Sequence, residues 1–133
     1  MPKIKALYLK AGVDEEPEVI EIENEDYKEF YKLIDCSTLD IVRRKIGDKM
    51  FFIAVDDEGL LKEKPVPSAF EESLGVGLVG NLIVTGIEET EDGDDRRSLT
   101  TAELATLKKF TFTWTRLFKN GERQQAKALL IGF

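Results

Sequence analysis

Six carboxylates fall within the eight residues 88–95, EETEDGDD, and two guanidinium groups, Arg96 and Arg97, follow at once. Clustered carboxylates are what a hard cation such as Mg²⁺ or Ca²⁺ requires. In a small metal-dependent enzyme acting on a phosphate, Asp92, Asp94 and Asp95 would work with Asp56 and Asp57 of a second acidic run. Such chemistry needs oxygens that converge, and nothing in either run enforces convergence. DDEG at 56–59 lacks the oxygen spacing and the distal glutamate of an EF-hand. The expectation for 88–98 is therefore a solvated, mobile connector with self-repelling charges, and no metal or cofactor.

Other chemistries are narrowed by what the chain lacks. It contains no histidine and a single cysteine, Cys36. Ser-His-Asp and Cys-His nucleophile pairs are excluded, and at most one soft ligand remains for zinc. Lysine, tyrosine or carboxylate catalysis stays open. GVGLVG at 75–80 matches G-x-G-x-x-G, but the glycines lead into an apolar, β-branched stretch rather than a helix. The pyrophosphate cradle needs a strand before them and a helix after. Gly75, Gly77 and Gly80 are read instead as a bend.

The remaining reactive surface is cationic and aromatic. Residues 96–133 hold eight basic against two acidic residues, a net +6, which leaves −13 on residues 1–95 of a chain with net charge −7. Either the two segments neutralise each other or they present opposite faces, which would favour self-association. Arg96, Arg97, Lys108, Lys109, Arg116 and Arg123 are the candidates for holding a small nucleotide-type anion. Phe112, Trp114 and Phe118 are the candidates for contacting a protein partner.

The elements that must position these groups read as follows. KIKALYLK (3–10), with Ala6/Tyr8 and Leu7/Leu9 apolar on both faces, reads as a central strand, and EVIEIE (18–23) alternates like a strand with one wet face. NEDYKEFYKLID predicts a helix over about 25–35, with Asn24 as N-cap, acids in its first turn, and Tyr27, Phe30, Tyr31 and Ile34 on one face. Residues 39–55 read as a hairpin turning at Gly47, 56–75 as a connector interrupted by Pro65 and Pro67, and 78–87 as one buried strand. Thr100 and Glu103 form a capping box, with Leu99 and Leu104 as its staple, so a helix is predicted over 101–109. FTFTWTRLF (110–118) alternates like a strand, with a continued helix as the competing reading. KNGE (119–122) suits a type I′ turn before RQQAKALLIGF returns antiparallel.

At 133 residues the chain fits one α+β domain. The expected architecture is a mainly antiparallel curved sheet of about six or seven strands, two helices and a C-terminal hairpin. Apolar runs too short for a bilayer, no signal-peptide h-region and one cysteine predict a cytoplasmic protein without membrane contact.

The segments PEVIEIEN, AVDDEGLLKEKPVPSAF, LVGNLIVTG and RRSLTTAEL, in that order and spacing, resemble a family of small uncharacterised domains encoded by bacteria, phages and mobile elements. The resemblance covers about residues 3–105 and leaves the final hairpin outside. It carries over no reaction and no catalytic residue. It implies an accessory protein of a mobile genome in a bacterial cytoplasm. A non-catalytic binder that interferes with a host component follows, either an anti-defence protein sequestering a nucleotide signal or one blocking a host protein, without direct nucleic-acid binding. An acidic DNA mimic and a small metal-dependent phosphate-processing enzyme are the alternatives. Homodimerisation would use the polarised charge or the exposed hairpin edge.

Overall fold

Leu82, Ile83 and Val84 are all fully buried. Consecutive residues of a strand face opposite ways, so this strand must be covered on both sides, and the architecture follows from that. A computed structural model describes residues 3–25, 27–59, 66–73 and 75–132. In chain order its elements are β1 (Lys3–Leu9), β2 (Glu18–Glu23), α1 (Lys28–Ile34), β3 (Leu39–Ile46), β4 (Lys49–Asp56) and β5 (Pro67–Glu71). There follow β6 (Val76–Val79), β7 (Leu82–Thr90), β8 (Gly93–Arg97), α2 (Thr101–Lys109), β9 (Thr111–Leu117) and β10 (Arg123–Ile131).

The first sheet runs β2-β1-β7-β4-β3, antiparallel throughout, with β8 pairing the outer half of β7. The second runs β6-β5-β10-β9, and only β5 and β10 are parallel. One face of β7 points into a core that joins Leu7, Phe51, Ile53, Leu82 and Val84 of the first sheet to Ala69, Leu78, Leu129 and Ile131 of the second, with Leu99 just before α2 and Leu107 within it. Its other face, Ile83, joins Ala6, Tyr8, Ala54, Phe30 and Ile34 under α1. The molecule is thus a helix, a sheet and a sheet, a small α+β domain. No helix among the described residues is long and apolar enough to cross a membrane.

The α+β class, the two helices and the C-terminal hairpin agree with the sequence reading. Among the described residues ten strands, rather than six or seven, are shared between two sheets. Residues 78–87 are two strands, since Gly80 (φ 80°) turns the chain from the second sheet to the first. Within 56–75, read as a connector, Pro67 opens the strand β5. A first residue needs no ladder N–H, and the parallel partner β10 is distant in sequence.

The acidic stretch is not a free connector. Glu88, Glu89 and Thr90 pair with Asp95, Asp94 and Gly93 in a tight exposed hairpin, and Asp94 takes an ion pair from Arg43 on β3. The helix expected over 25–35 is shorter, because Asn24 does not cap it: Tyr27 occupies the N-cap without a side-chain bond, and Asn24 is turned to Arg96. The final turn is not type I′. Gly121 alone has positive φ (88°), and its N–H donates to Phe118 O at 3.0 Å, which makes a type I turn followed by a left-handed glycine. Asp26 and Pro65, on which two further expectations fell, lie outside the described residues.

Candidate functional site

The outer face of the second sheet carries an aromatic ridge. In β9 every second residue faces outward, and Phe112 and Trp114 sit opposite Ala128 and Ala126 of β10. Both alanines are fully buried. Small side chains on the middle strand let the rings lie across it to Phe70 of β5, which is in register with Leu130. The Phe70 and Phe112 centroids are 5.7 Å apart, those of Phe70 and Trp114 6.4 Å apart, and both pairs are inclined in the manner aromatic quadrupoles favour. Arg116 places its guanidinium carbon 5.6 Å from the Trp114 ring. The three rings remain half-buried. The Trp114 indole N–H is hidden from water without a hydrogen-bond acceptor among the described residues, an arrangement native cores avoid. At one end a cavity of about 390 Å³ continues the ridge past Lys109, Phe110 and Leu130.

The candidate cations do not meet in one place. Arg96 is a latch between β8 and the β2–α1 corner. Its Nε and Nη2 donate to Asn24 Oδ1 and O, each at 2.8 Å, and Nη2 also donates to the Tyr27 hydroxyl at 2.9 Å. Its guanidinium lies 4.9 Å from the Tyr27 centroid and 5.5 Å from that of Phe30. Arg97 is held by Glu103, 2.6 Å from Oε1 and 2.8 Å from Oε2. Lys108 lines a cleft of about 440 Å³ walled by Leu7, Pro17, Val19, Leu104 and Ala105, in which Glu16 is the opposing charge. Lys109 borders the cavity beside the ridge, while Arg116 and Arg123 stand on the exposed hairpin, next to Leu117 and Phe118.

We expect Arg96→Ala to lower stability by about 2 kcal/mol, from three charge-assisted hydrogen bonds and the ring contacts, tempered by partial solvation. Urea unfolding would measure that loss, and binding through the ridge should be unchanged.

The groups left open for catalysis are similarly occupied. Asp56 accepts from Glu58 N at 2.9 Å at the end of β4, and Asp95 accepts from Arg96 N at 2.8 Å in the β7–β8 hairpin. Among the described residues no three acids or thiols converge on a metal-sized space. The Tyr8 phenol donates to Leu33 O at 2.7 Å, and burial, reinforced by Glu18 and Asp35, pushes its pKa up. It is a neutral structural donor.

Phe70, Ala126 and Ala128 complete the ridge, and none stood out in the sequence. Phe70 lies in a proline-flanked stretch whose partners are some sixty residues away, and alanine is locally uninformative. The one usable signal was Ala126 and Ala128 alternating with Lys127 opposite an aromatic strand.

Residues 4–111 match the family described as Domain of unknown function (DUF3846). No curated protein and no solved structure matches the chain. The matched residues include Phe70 and end at Thr111, so Phe112, Trp114 and Arg116 lie beyond them.

Proposed function

The chain belongs to the DUF3846 family, and on that premise we propose that it is a non-catalytic binding protein whose outer aromatic ridge occupies a host protein. The observation that carries the reading is the ridge itself: the half-buried rings of Phe70, Phe112 and Trp114 and the exposed Arg116 on one sheet face, with an indole N–H awaiting an acceptor. Tryptophan, arginine and aromatic residues are the side chains that dominate protein interfaces, and they do so best when packed and partly desolvated beforehand. A partner carbonyl or hydroxyl reaching the indole would complete its hydrogen bond. The absence of histidine from the sequence and the dispersal of the acids support occupancy over turnover. The wider setting we propose is an accessory, anti-defence protein of a phage or other mobile element acting in a bacterial cytoplasm.

The 440 Å³ cleft favours a second reading, small-ligand binding, because its size suits a small molecule. One lining cation, Lys108, fits a monoanion with an apolar body better than a polyphosphate.

Affinity capture from the native host distinguishes these readings. The wild-type chain should retain a protein that Trp114→Ala loses, with Kd weakened on the order of thirtyfold, the roughly 2 kcal/mol of a hot-spot truncation. An unchanged affinity, or substrate turnover by the pure protein, would refute the proposal. Stabilisation by a nucleotide or carboxylate panel that Lys108→Ala abolishes would move the site to the cleft.

A further inference from the structure

β9 is an edge strand of its sheet, with no proline, lysine or bulge to blunt it. Its bonds to β10 are bracketed by Leu130 N to Phe110 O and Phe118 N to Glu122 O, both 2.9 Å and both on even-numbered residues of the β9 side. In an antiparallel pair such bonds recur at every second residue. The main-chain N–H and C=O groups of Thr111, Thr113, Thr115 and Leu117 therefore point away from β10, and no partner for them occurs among the described residues. Thr113, Thr115, Arg116 and Leu117 are exposed, Leu117 to 74%. Natural edges are blunted by proline, lysine, a bulge or a covering element. TFTWTRL has neither proline nor lysine, and its register with β10 is unbroken.

We infer that this edge joins two copies of the chain, β9 pairing antiparallel with β9 of the second copy about a two-fold axis at Trp114. Trp114 is the midpoint of the strand, with a threonine on either side of it. In that register Thr113 meets Thr115 of the other copy, Phe112 meets Arg116, and Thr111 meets Leu117. All seven residues of β9 are used, with about eight new main-chain hydrogen bonds between the outward-pointing residues. Trp114 faces its counterpart at a non-hydrogen-bonded position, where side chains approach most closely, and Arg116 lies over an aromatic ring rather than another cation. Shifting the axis to residue 116 would set Arg116 against Arg116. Shifting it to 112 would set Arg116 against Lys108 and draw helical residues into the pair. Axes at 113 or 115 shorten the overlap and separate the tryptophans. The register that pairs all seven residues also opposes each Arg116 to Phe112 of the other copy, and this self-complementarity favours a second copy over a foreign peptide.

The pairing runs along the edge of the sheet and also brings Trp114 and Arg116 of the ridge against the second copy, so a monomeric variant is needed to separate it from the proposed host partner. Sedimentation velocity should give twice the monomer mass for the wild type. Thr115→Pro removes an N–H that β10 does not use and should give a monomer with an unchanged far-UV spectrum. A monomeric Thr115→Pro chain that still captures the host protein would support both inferences separately. On a Cys36→Ser background, Thr113→Cys and Thr115→Cys chains should oxidise when mixed to a disulfide-linked heterodimer, and neither should cross-link efficiently alone, since only opposed residues have suitable spacing. A wild-type monomer up to about 100 µM, which is weaker than ordinary specific association, would overturn the inference. So would a dimer that survives Thr115→Pro, or mixed chains that show no preference for the heterodimer.

Discussion

Glu103→Ala lowers the unfolding free energy by about 3–4 kcal/mol, the range for removing one partner of a buried ion pair, and the melting temperature by roughly 12 °C at this chain length. The expectation follows from the number of donors that converge on one carboxylate. Glu103 is 2% exposed. Oε1 accepts from Arg97 Nη1 at 2.6 Å and from Thr100 N at 2.9 Å, while Oε2 accepts from Arg97 Nη2 at 2.8 Å and lies 3.1 Å from Lys49 Nζ. Its own backbone N–H completes the capping box to Thr100 Oγ1 at 3.1 Å. One side chain therefore starts α2, fastens it to β8 and ties both to β4. Gly86 is part of the same device, because a side chain there would overlap the Arg97 guanidinium. The magnitude stays near the low end since Arg97 and Lys49 are partly solvated.

The same carboxylate has a pH signature. The Arg97 hydrogen bonds, helped by Thr100 and Lys49, hold its pKa down at about 2 against an ordinary 4.5, while burial works in the opposite direction. A depressed folded-state pKa means the unfolded chain takes up the proton first as pH falls. The stabilisation is therefore fully present above about pH 5 and fades as the pH falls towards 2. In urea titrations at several pH values, the gap between wild type and Glu103→Gln should be widest near neutrality and close towards pH 2. A gap that stays constant with pH would show that folding does not shift the Glu103 pKa.

This device was half visible in the sequence. T-x-x-E before an apolar run announces a capping box, and Thr100, Glu103, Leu99 and Leu104 all sit as it requires. That Arg97 and Lys49 would complete it was hidden, because Lys49 arrives from a hairpin fifty residues earlier. The same distinction separates the other successes and failures. Locally coded features, such as the 39–56 hairpin and the alternation of 111–117, appear where periodicity puts them. Features that depend on distant pairing do not: Pro67–Glu71 becomes a strand through β10, and the acids of 88–95 become a hairpin because β8 continues a sheet whose Lys5 main chain bonds to Ser98 and Leu99. Arg96 and Arg97 looked like free cations only because Asn24, Tyr27 and Glu103 could not be placed beside them. The aromatic half of the candidate site was legible in β9, but the Phe70 floor and the alanine step between were not.

Two adjacent phenylalanines make the second large prediction, and sequence alone cannot tell them apart. Phe51 and Phe52 stand side by side in MFFIAV, apolar on both faces. In the structure Phe51 is fully buried in the core between the two sheets, with Ile53 and Val55 following it at alternate positions. Phe52 points the other way, is half-buried, and has the Arg43 guanidinium 5.9 Å from its centroid. Phe51→Ala should cost about 4 kcal/mol, combining lost transfer energy with a cavity that two stiff sheets close poorly. Phe52→Ala should cost about 1–2 kcal/mol, since its site opens to water and leaves little cavity. Chemical denaturation of the two variants checks the order. Equal losses would mean that the second sheet is not packed on the first through this core. The consequence extends to binding, because the ridge of Phe70, Phe112 and Trp114 is held flat only while Ala69, Leu129 and Ile131 on the reverse of its strands stay seated against the first sheet. If any binding survives in Phe51→Ala, its affinity should fall although no contact residue has changed, whereas Phe52→Ala should bind as the wild type does.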